Sequence, residues 1–490
     1  MQRLHQKKEN ILYWGLVGLV LYMPFHLYLC ELLISFTQLD NILRDGVIML
    51  LFALVAFSLD TYRSPLSISV AVSALLLAGM GVISAFYHKQ MPILNVLRTY
   101  LVPMLIFFVA RQAKMDTGRF QRLTRFFVVE LAIVGIYGYF QAFFLGDDFL
   151  LRLGYEGKEG YLTSTSFYIA YFFGFQRSTG TFISPNICGI VLAMALCVLL
   201  FTKKDLTFRR GVLPAACLTL GLGATFSRSA ILGAACGLCF GLLMIRFWQH
   251  ITKKRICNGL VVLGVVAAFL IMDYFVFESL FLRMLLSSML RVFSGEDPSA
   301  NTHMQHLFNP PTVSTIGATI PSIETTIPSI EATIPSIEVT IPSIEATTSS
   351  IEATISATVP TVTVGTTTPV LPTKQWIPTF GFNGPMAQEF VQNAYMVESS
   401  YLLIIGELGS LGAIVYFIPY VLLLALTVLR RKEYPYFAPA TAVLAALVSF
   451  VFLPNVQNFE VLFYVFLLMG LYDNPSIRAQ YARNNTNCVE

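Results

Sequence analysis

The feature that most constrains this chain is a series of long apolar runs separated by polar connections. Most of the runs have about the 17 to 25 residues that a membrane-spanning helix needs. They lie near residues 11–30, 42–59, 66–86, 93–110, 126–145, 181–201, 211–226, 229–247, 256–277, 400–429, 437–453 and 459–473. Only 12% of the 490 residues are charged, against roughly 25% in a soluble domain, and this difference excludes a soluble fold.

Helices are the expected form of these runs. Backbone groups in hydrocarbon must be satisfied within their own segment, and the apolar–polar alternation of a membrane barrel is absent. We therefore predict an all-α, polytopic integral membrane protein of about twelve transmembrane helices. Residues 1–277 would hold nine spans, 278–395 one large extracytoplasmic loop, 396–475 three further spans, and 476–490 a cytoplasmic tail.

The positions of the cationic residues predict the orientation in the membrane. If the N-terminal stretch with Arg3, Lys7 and Lys8 is cytoplasmic, most other Lys and Arg residues also fall on cytoplasmic connections. The positive-inside rule then places both termini in the cytoplasm. The net charge of +4 is too small to indicate a nucleic-acid partner.

The large loop contains a heptapeptide repeat of the type TIPSIEA over residues 319–353. A coiled coil is excluded, because a proline recurs in each intact repeat and each would cost a helix roughly 3 kcal/mol. We predict a flexible insert over residues 312–373, with an O-glycosylated or adhesive stalk as the alternative. The chemistry is therefore expected on both sides of this insert.

Two arginines occupy short polar segments on the predicted outer face. Arg177 begins RSTGTFISPNICG ahead of an apolar run, and Arg228 lies in TFSRSA, a turn between two runs with almost no loop. A guanidinium held by short connections at the membrane surface suits bidentate recognition of a phosphate or diphosphate. The alternative for each residue is an anchor to lipid headgroups.

The large loop adds candidates near the start of the insert. Arg283 and Arg291 share one stripe of an amphipathic stretch over residues 278–293, and His303 follows it. Cations at the surface of a membrane also produce this pattern by snorkelling.

Two carboxylates accompany the tenth apolar run. Glu398 is predicted at its outer mouth and is the better-placed general base. Glu407 follows nine residues later, on the opposite side of a straight helix. We expect a structural partner for Glu407, and Arg98 in the fourth run is one candidate.

Taken in order, RSTGTFISPN, TFSRSA, DPSANTHMQHLF, FGFNG and ESSYLLIIGELGSLG resemble motifs of the O-antigen ligase and Wzy-type polysaccharide polymerase family. The resemblance covers about residues 95–415 without the insert. It implies a GT-C-like glycosyltransferase of the bacterial inner membrane that acts on polyprenyl-diphosphate-linked oligosaccharides at the outer face. A flippase and a chain-length regulator of the same pathway are the implied protein partners.

The resemblance also implies roles for individual residues. Arg177 and Arg228 would hold the donor's diphosphate, and the arginines of the loop helix, with His303 beside them, would assist. The ligase branch typically has His followed by Asn where this chain has Glu398 and Ser399, which favours a polymerase. Relatives often carry an Arg near the position of His303. We expect Glu398 and Arg228 to be catalytic.

No metal or cofactor is expected, because fixed arginines can stabilise a diphosphate leaving group and the chain contains no DxD motif. Two alternatives stay open. A ligase would transfer the glycan to a lipid A core or a protein, and a flippase or other transporter would move a lipid-linked oligosaccharide without chemistry.

Overall fold

The computed structural model describes residues 2–33, 37–88, 92–157, 167–172, 175–202, 211–248, 400–430, 437–452 and 458–486. The predicted ninth span at 256–277 and the large loop at 278–395 with its insert lie outside the described residues. The same is true of four predicted site residues, which are Arg283, Arg291, His303 and Glu398.

Every apolar run that falls within the described residues contains a helix. The helices are α1 (Gln2–Tyr22), α2 (Thr37–Ala56), α3 (Pro65–His88), α4 (Pro92–Gln112), α5 (Thr117–Phe140), α6 (Gly146–Arg152), α7 (Pro185–Thr202), α8 (Leu213–Ala224), α9 (Arg228–Trp248), α10 (Ser400–Leu429), α11 (Ala438–Phe450), α12 (Phe459–Tyr472) and α13 (Pro475–Thr486).

Five helical segments of the described chain are long and apolar enough to cross a membrane. They are Pro65–Ile83, Thr117–Arg152, Pro185–Thr202, Arg228–Ile245 and Leu408–Leu429. Large apolar side chains such as Phe57, Leu75 and Phe86 are more than two-thirds exposed, as lipid-facing residues are in a membrane protein. The protein is thus helical and membrane-embedded, and the count of twelve spans stays a prediction.

Helix α7 is the centre of the bundle. It packs against α5, α8, α9 and α11, and every residue from Ile187 to Leu199 is buried. A helix that is apolar on all sides can be enclosed in this way by other helices instead of by lipid. The elements that surround the first turn of α7 form the candidate site.

A small sheet between α6 and α7 corrects the all-α prediction. Strands β1 (Glu156–Gly157) and β2 (Tyr168–Phe172) run parallel, and β3 (Phe175–Arg177) pairs antiparallel with β2. The aromatic residues and the β-branched Ile of YIAYF favour a strand. Next to it, the rings of Tyr155 and Phe167 lie 5.3 Å apart in a separate small apolar core.

The tenth apolar run is not the straight helix we predicted. Gly409 has a left-handed backbone conformation with φ +72°, which divides α10 into two parts. Thirty continuous helical residues would be about 45 Å long and would exceed the hydrocarbon thickness. The segment that is long and apolar enough to cross a membrane begins at Leu408, directly after Glu407. The side chain of Glu407 lies outside the described set.

Arg98, the proposed partner of Glu407, bonds a carboxylate of a neighbouring helix, and its pairing with Glu407 stays a prediction. The Nε of Arg98 in α4 donates to a carboxylate oxygen of Asp45 in the neighbouring helix α2. Asp45 also accepts a hydrogen bond of 3.0 Å from Nε of Arg44. Asp45 therefore accepts hydrogen bonds from both arginines.

Connections that we predicted to be cytoplasmic meet at one end of the described bundle. Nζ of Lys114 lies 3.1 Å from a carboxylate oxygen of Glu9. Nε of Arg111 donates to Asp473 at 2.7 Å, and Arg478 in α13 bonds the other oxygen of Asp473. The N-terminal stretch, the α4–α5 connection and the tail thus lie at the same end, and the side of the membrane that this end faces stays a prediction.

Candidate functional site

The candidate site is built around the turn that joins α8 to α9, residues 225–227. We call Arg177, Arg228 and this turn the arginine site. It lies at the end of the bundle opposite to Arg111: α5 begins at Thr117, shortly after Arg111, and Gln141 at its other end bonds Thr179, two residues after Arg177. This end is the one that we predicted to be extracytoplasmic.

Strand β3 positions Arg177 beside the turn. Its last residue, Arg177, is paired with Ala170 of β2. The next residue, Ser178, donates its backbone N–H to the carbonyl of Ala224 at 2.9 Å, at the last residue of α8. The sheet is therefore hydrogen-bonded to the end of α8, and this bond fixes the position of Arg177 beside the turn.

Two hydrogen bonds hold the guanidinium of Arg177. Its Nε donates to the carbonyl oxygen of Thr225 at 2.9 Å, and its Nη2 donates to Oδ1 of Asn186 at 2.8 Å. Among the described residues, no carboxylate bonds this group. A guanidinium has five N–H donors, and these two bonds use two of them. Arg177 thus presents a fixed positive charge that its bonded neighbours do not neutralise.

Arg228 is the first residue of α9 and is partly buried. Burial is the main cause that lowers the pKa of Arg177 to about 10; nearby Tyr168 acts in the opposite direction, and the positive charge of Arg228 adds to the lowering. Arg177 is still charged at neutral pH. Two like charges are therefore close enough to repel each other, and an anion bound between them would relieve that repulsion.

The turn itself has a strained backbone. Phe226 is in the left-handed region with φ +48°, which is costly for a bulky residue. Its N–H donates to the carbonyl of Gly223 at 2.9 Å, and its ring contacts Phe143 with centroids 6.4 Å apart. This conformation reverses the chain within three residues, so that α9 begins at Arg228.

The first backbone N–H groups of α9 point toward the same site. The first intrahelical bond runs from the N–H of Ile231 to the carbonyl of Ser227 at 3.0 Å. The N–H groups before it have no helical acceptor, and the partial positive charge of a helix N-terminus attracts anions. This field adds to the charges of Arg177 and Arg228.

A glycine lets α7 approach the turn. A Cβ at Gly189 would lie 2.8 Å from the Cβ of Ala230 and 3.1 Å from Oγ1 of Thr225. Any larger residue would push α7 away from the turn. The close contact keeps Asn186, three residues earlier on α7, within reach of Arg177.

Gln141 supports the segment that follows Arg177. Its Oε1 accepts the N–H groups of Thr179 at 3.0 Å and Gly180 at 2.8 Å, and its Nε2 donates to Oγ1 of Thr179 at 3.1 Å. Gly180 has φ +57°, a conformation that favours glycine. Gln141 was not predicted from the sequence, although it is the lone amide inside the apolar run 126–145.

Hydrogen bonds through α11 connect the start of α10 to the first turn of α9. The hydroxyl of Tyr401 donates to the carbonyl of Leu447 in α11 at 3.0 Å. Two residues later in α11, Oγ of Ser449 donates to the carbonyl of Ser229 in α9, also at 3.0 Å. Tyr401, three residues after Glu398 in the chain, is therefore connected through α11 to the first turn of α9.

The structure brings together Arg177 and Arg228 among the predicted site residues. The other four, Glu398, Arg283, Arg291 and His303, lie outside the described residues. Thr225 and Gln141 are additional residues that position the site. Within the part of the chain that is described, no group of three or more His, Cys, Asp or Glu side chains could hold a metal ion.

The chain was also compared with known proteins. It matches no protein-family model, and no curated protein matches it.

Proposed function

We propose that this protein is a polysaccharide polymerase, a glycosyltransferase that moves a glycan from its polyprenyl diphosphate carrier onto another lipid-linked repeat unit. The observation that carries the proposal is the fixed guanidinium of Arg177 beside Arg228 at the start of α9. A diphosphate has the charge and the paired oxygens that such groups bind.

The proposed reaction makes its main electrostatic demand on the leaving group. The anomeric C–O bond of the donor breaks, the diphosphate leaves with the bonding electrons, and an acceptor hydroxyl forms the new bond to the anomeric carbon. Positive groups that are already in place stabilise the developing negative charge without reorganisation. Arg177 and Arg228 would carry out this task, and no step requires a metal.

Glu398 is the proposed general base that takes the proton of the acceptor hydroxyl. It precedes Tyr401 by three residues, and Tyr401 is connected through α11 to the first turn of α9. We expect Glu398→Gln to abolish polymer synthesis in membranes while the lipid-linked repeat unit still binds. Full synthesis by this variant would remove Glu398 from the mechanism. Arg283, Arg291 and His303 are proposed to contact the glycan or the diphosphate from the large loop.

The test is polymerisation of a defined polyprenyl-diphosphate-linked repeat by the purified protein in lipid. Arg228→Lys keeps the charge but loses the planar fork, and we expect transfer to slow about tenfold to a hundredfold, which corresponds to a charged hydrogen bond. Arg63→Lys is the matched control, because the Arg63 side chain is 75% exposed in a surface pair with Asp60. Unchanged transfer by Arg228→Lys and Arg228→Gln would contradict the proposal.

A transporter is the second candidate, because the broken helix α10 is of a kind that transporters use around their substrates. The same preparation separates the candidates. A polymerase lengthens the glycan, a ligase forms a product only when a lipid A core or protein acceptor is added, and a flippase moves the labelled lipid across the bilayer without a covalent product.

A further inference from the structure

An arginine between α1 and α5 has an enclosed donor without an acceptor, at the end of the bundle opposite to the arginine site. Arg119 lies in the first turn of α5. Its Nη2 donates to Oδ1 of Asn10 in α1 at 2.5 Å, whereas its Nη1 is enclosed and has no hydrogen-bond partner. Buried donors without acceptors are rare in proteins, so this group requires an explanation.

Helix α1 fixes the position of this guanidinium. Cζ of Arg119 lies 5.1 Å from the centroid of the Tyr13 ring, within the range of a cation–π contact. The hydroxyl of Tyr13 donates to the backbone carbonyl of Arg119 at 3.4 Å, and the charge of Arg122 acts on the same hydroxyl. Two arginines of α5 therefore lie beside Tyr13. The side chain of Arg119 is 26% exposed, which gives a ligand access to it from the surface.

The surroundings of Arg119 carry an excess of positive charge. Residues 7–14 and 114–125 contain six Lys and Arg residues but only two Asp and Glu residues. Of these two, Glu9 already pairs with a lysine at 3.1 Å. The other, Asp116, has a 63% exposed side chain that lies 3.6 Å from Nε of Arg119. In the described part of the chain, neither Arg122 nor Arg125 pairs with a carboxylate, so this surface attracts an anion.

Beyond these cations, α1 and α5 expose apolar surface. Exposed residues at intervals of three or four lie on one stripe of a helix. On α5 this stripe consists of Arg122, Arg125, Val129 and Ile133. On α1 it consists of Lys7, Ile11, Trp14, Gly18 and Leu21. Each stripe begins with positive charge and continues with apolar surface, which is the order of a lipid headgroup and its acyl chains.

We propose that the surface formed by the first halves of α1 and α5 is a binding site for an anionic phospholipid. One phosphate oxygen accepts a hydrogen bond from Nη1 of Arg119, another accepts one from Arg122, and the acyl chains lie along the two stripes. Arginine suits phosphate because its donors can bond two oxygens at once. Basic pockets between membrane helices bind the headgroups of anionic lipids in this way.

Two further features support a lipid as the occupant. The aromatic ring of Trp14 is 55% exposed and lies next to Tyr13, with ring centroids 5.2 Å apart; tryptophan is enriched where a membrane meets water. Cations that only reach toward water would not account for the enclosed donor of Arg119. The inference does not depend on the proposed glycosyl transfer or on the side of the membrane that this end faces, since both leaflets contain phosphate.

Fluorescence of Trp14 tests the site in the full chain. The protein has three tryptophans, and replacing Trp248 and Trp376 with Phe leaves Trp14 as the reporter. The protein is placed in phosphatidylcholine bilayers with rising amounts of a lipid whose brominated acyl chains quench tryptophan on contact. We expect brominated phosphatidylglycerol to reach half-maximal quenching at roughly a tenfold lower mole fraction than brominated phosphatidylcholine, because each nearby cation raises the affinity for an anionic lipid several-fold.

Substitutions of single arginines assign this preference to the site. Arg119→Gln and Arg122→Gln should each reduce the preference for phosphatidylglycerol about fivefold. Arg63→Gln is the matched control, because it removes a cation at the same end of the bundle that is 75% exposed and paired with Asp60. This control should retain the preference.

Equal quenching of Trp14 by the two brominated lipids would overturn the proposal without any arginine variant, even if Arg119→Gln failed to fold. An equal loss of preference in all three arginine variants would also overturn it, because the overall charge of this end would then attract the lipid. An excess of inorganic phosphate should leave the quenching unchanged. Recovery of Trp14 fluorescence with phosphate would show that the arginines bind a free anion, and it would overturn the assignment to a lipid.

Discussion

The Nε of Arg177 donates a 2.9 Å hydrogen bond to the carbonyl of Thr225, three residues before Arg228. These partners are separated by 48 residues in the chain. The bond ties the last residue of β3 to the turn between α8 and α9. It makes the orientation of Arg177 depend on the same turn that positions Arg228, so the two guanidinium groups are placed as one unit.

Replacing Arg177 with lysine should impair both stability and transfer. Arg177→Lys loses the Nε and Nη2 donors that bond Thr225 and Asn186, and a lost bond from a partly buried charged group costs about 1.5 to 3 kcal/mol. We expect a lower melting temperature and at least a tenfold slower transfer, the equivalent of about 1.4 kcal/mol. Differential scanning fluorimetry and the polymerisation assay measure the two effects.

Asn186→Ala separates the effect of Arg177 on stability from its effect on the substrate. It removes only the acceptor of Nη2 and leaves the charge of Arg177 in place. We expect weaker binding of the lipid diphosphate with a smaller loss of stability than in Arg177→Lys. Normal binding by both variants would show that Arg177 serves the fold alone.

Gly189→Ala should displace the first turn of α7 from the arginine site. The added methyl group would lie 2.8 Å from the Cβ of Ala230, and overpacking of this kind typically costs about 1 to 3 kcal/mol. Thermal denaturation in detergent measures the cost. Gly79→Ala is the control, since a Cβ at Gly79 meets nothing within 4 Å. Equal melting temperatures for the two variants would contradict the tight packing at Gly189.

Asp473→Asn should destabilise the opposite end of the bundle. Asp473 is fully buried between Arg111 and Arg478, and removing one partner of a buried ion pair costs about 3 to 5 kcal/mol. Asp60→Asn removes an exposed carboxylate from its pair with Arg63 and should cost less than about 1 kcal/mol. Chemical denaturation of the two variants gives the comparison. A similar loss of unfolding free energy in both variants would mean that burial does not increase the contribution of Asp473 to stability.

The positions of the helices could be predicted from the sequence, because a run of apolar residues long enough to cross a bilayer has few alternatives to a helix. The exceptions have local causes. Gly409 breaks the run at 400–429 through a left-handed backbone conformation. The strand at 168–172 has only five residues, far fewer than the apolar runs from which the spans were predicted.

The site was predictable only in part. Arg177 and Arg228 stood out as charged residues next to apolar runs, and the structure places them at the same turn. Their supports, Thr225 and Gln141, gave weaker signals, since a backbone carbonyl is invisible in a sequence and an amide in an apolar run has no characteristic partner.

The sequence by itself determined that this chain forms apolar helices in a membrane, because composition and segment length decide solvation. Only the tertiary structure decided that Arg98 bonds Asp45, that Arg177 bonds Thr225, and that the ring of Phe127 contacts that of Tyr464. In a chain whose helices are apolar on nearly every side, hydropathy does not distinguish a face that meets lipid from one that meets another helix. The fit of side chains between helices decides which faces pack together, and it therefore decides which polar groups come into contact.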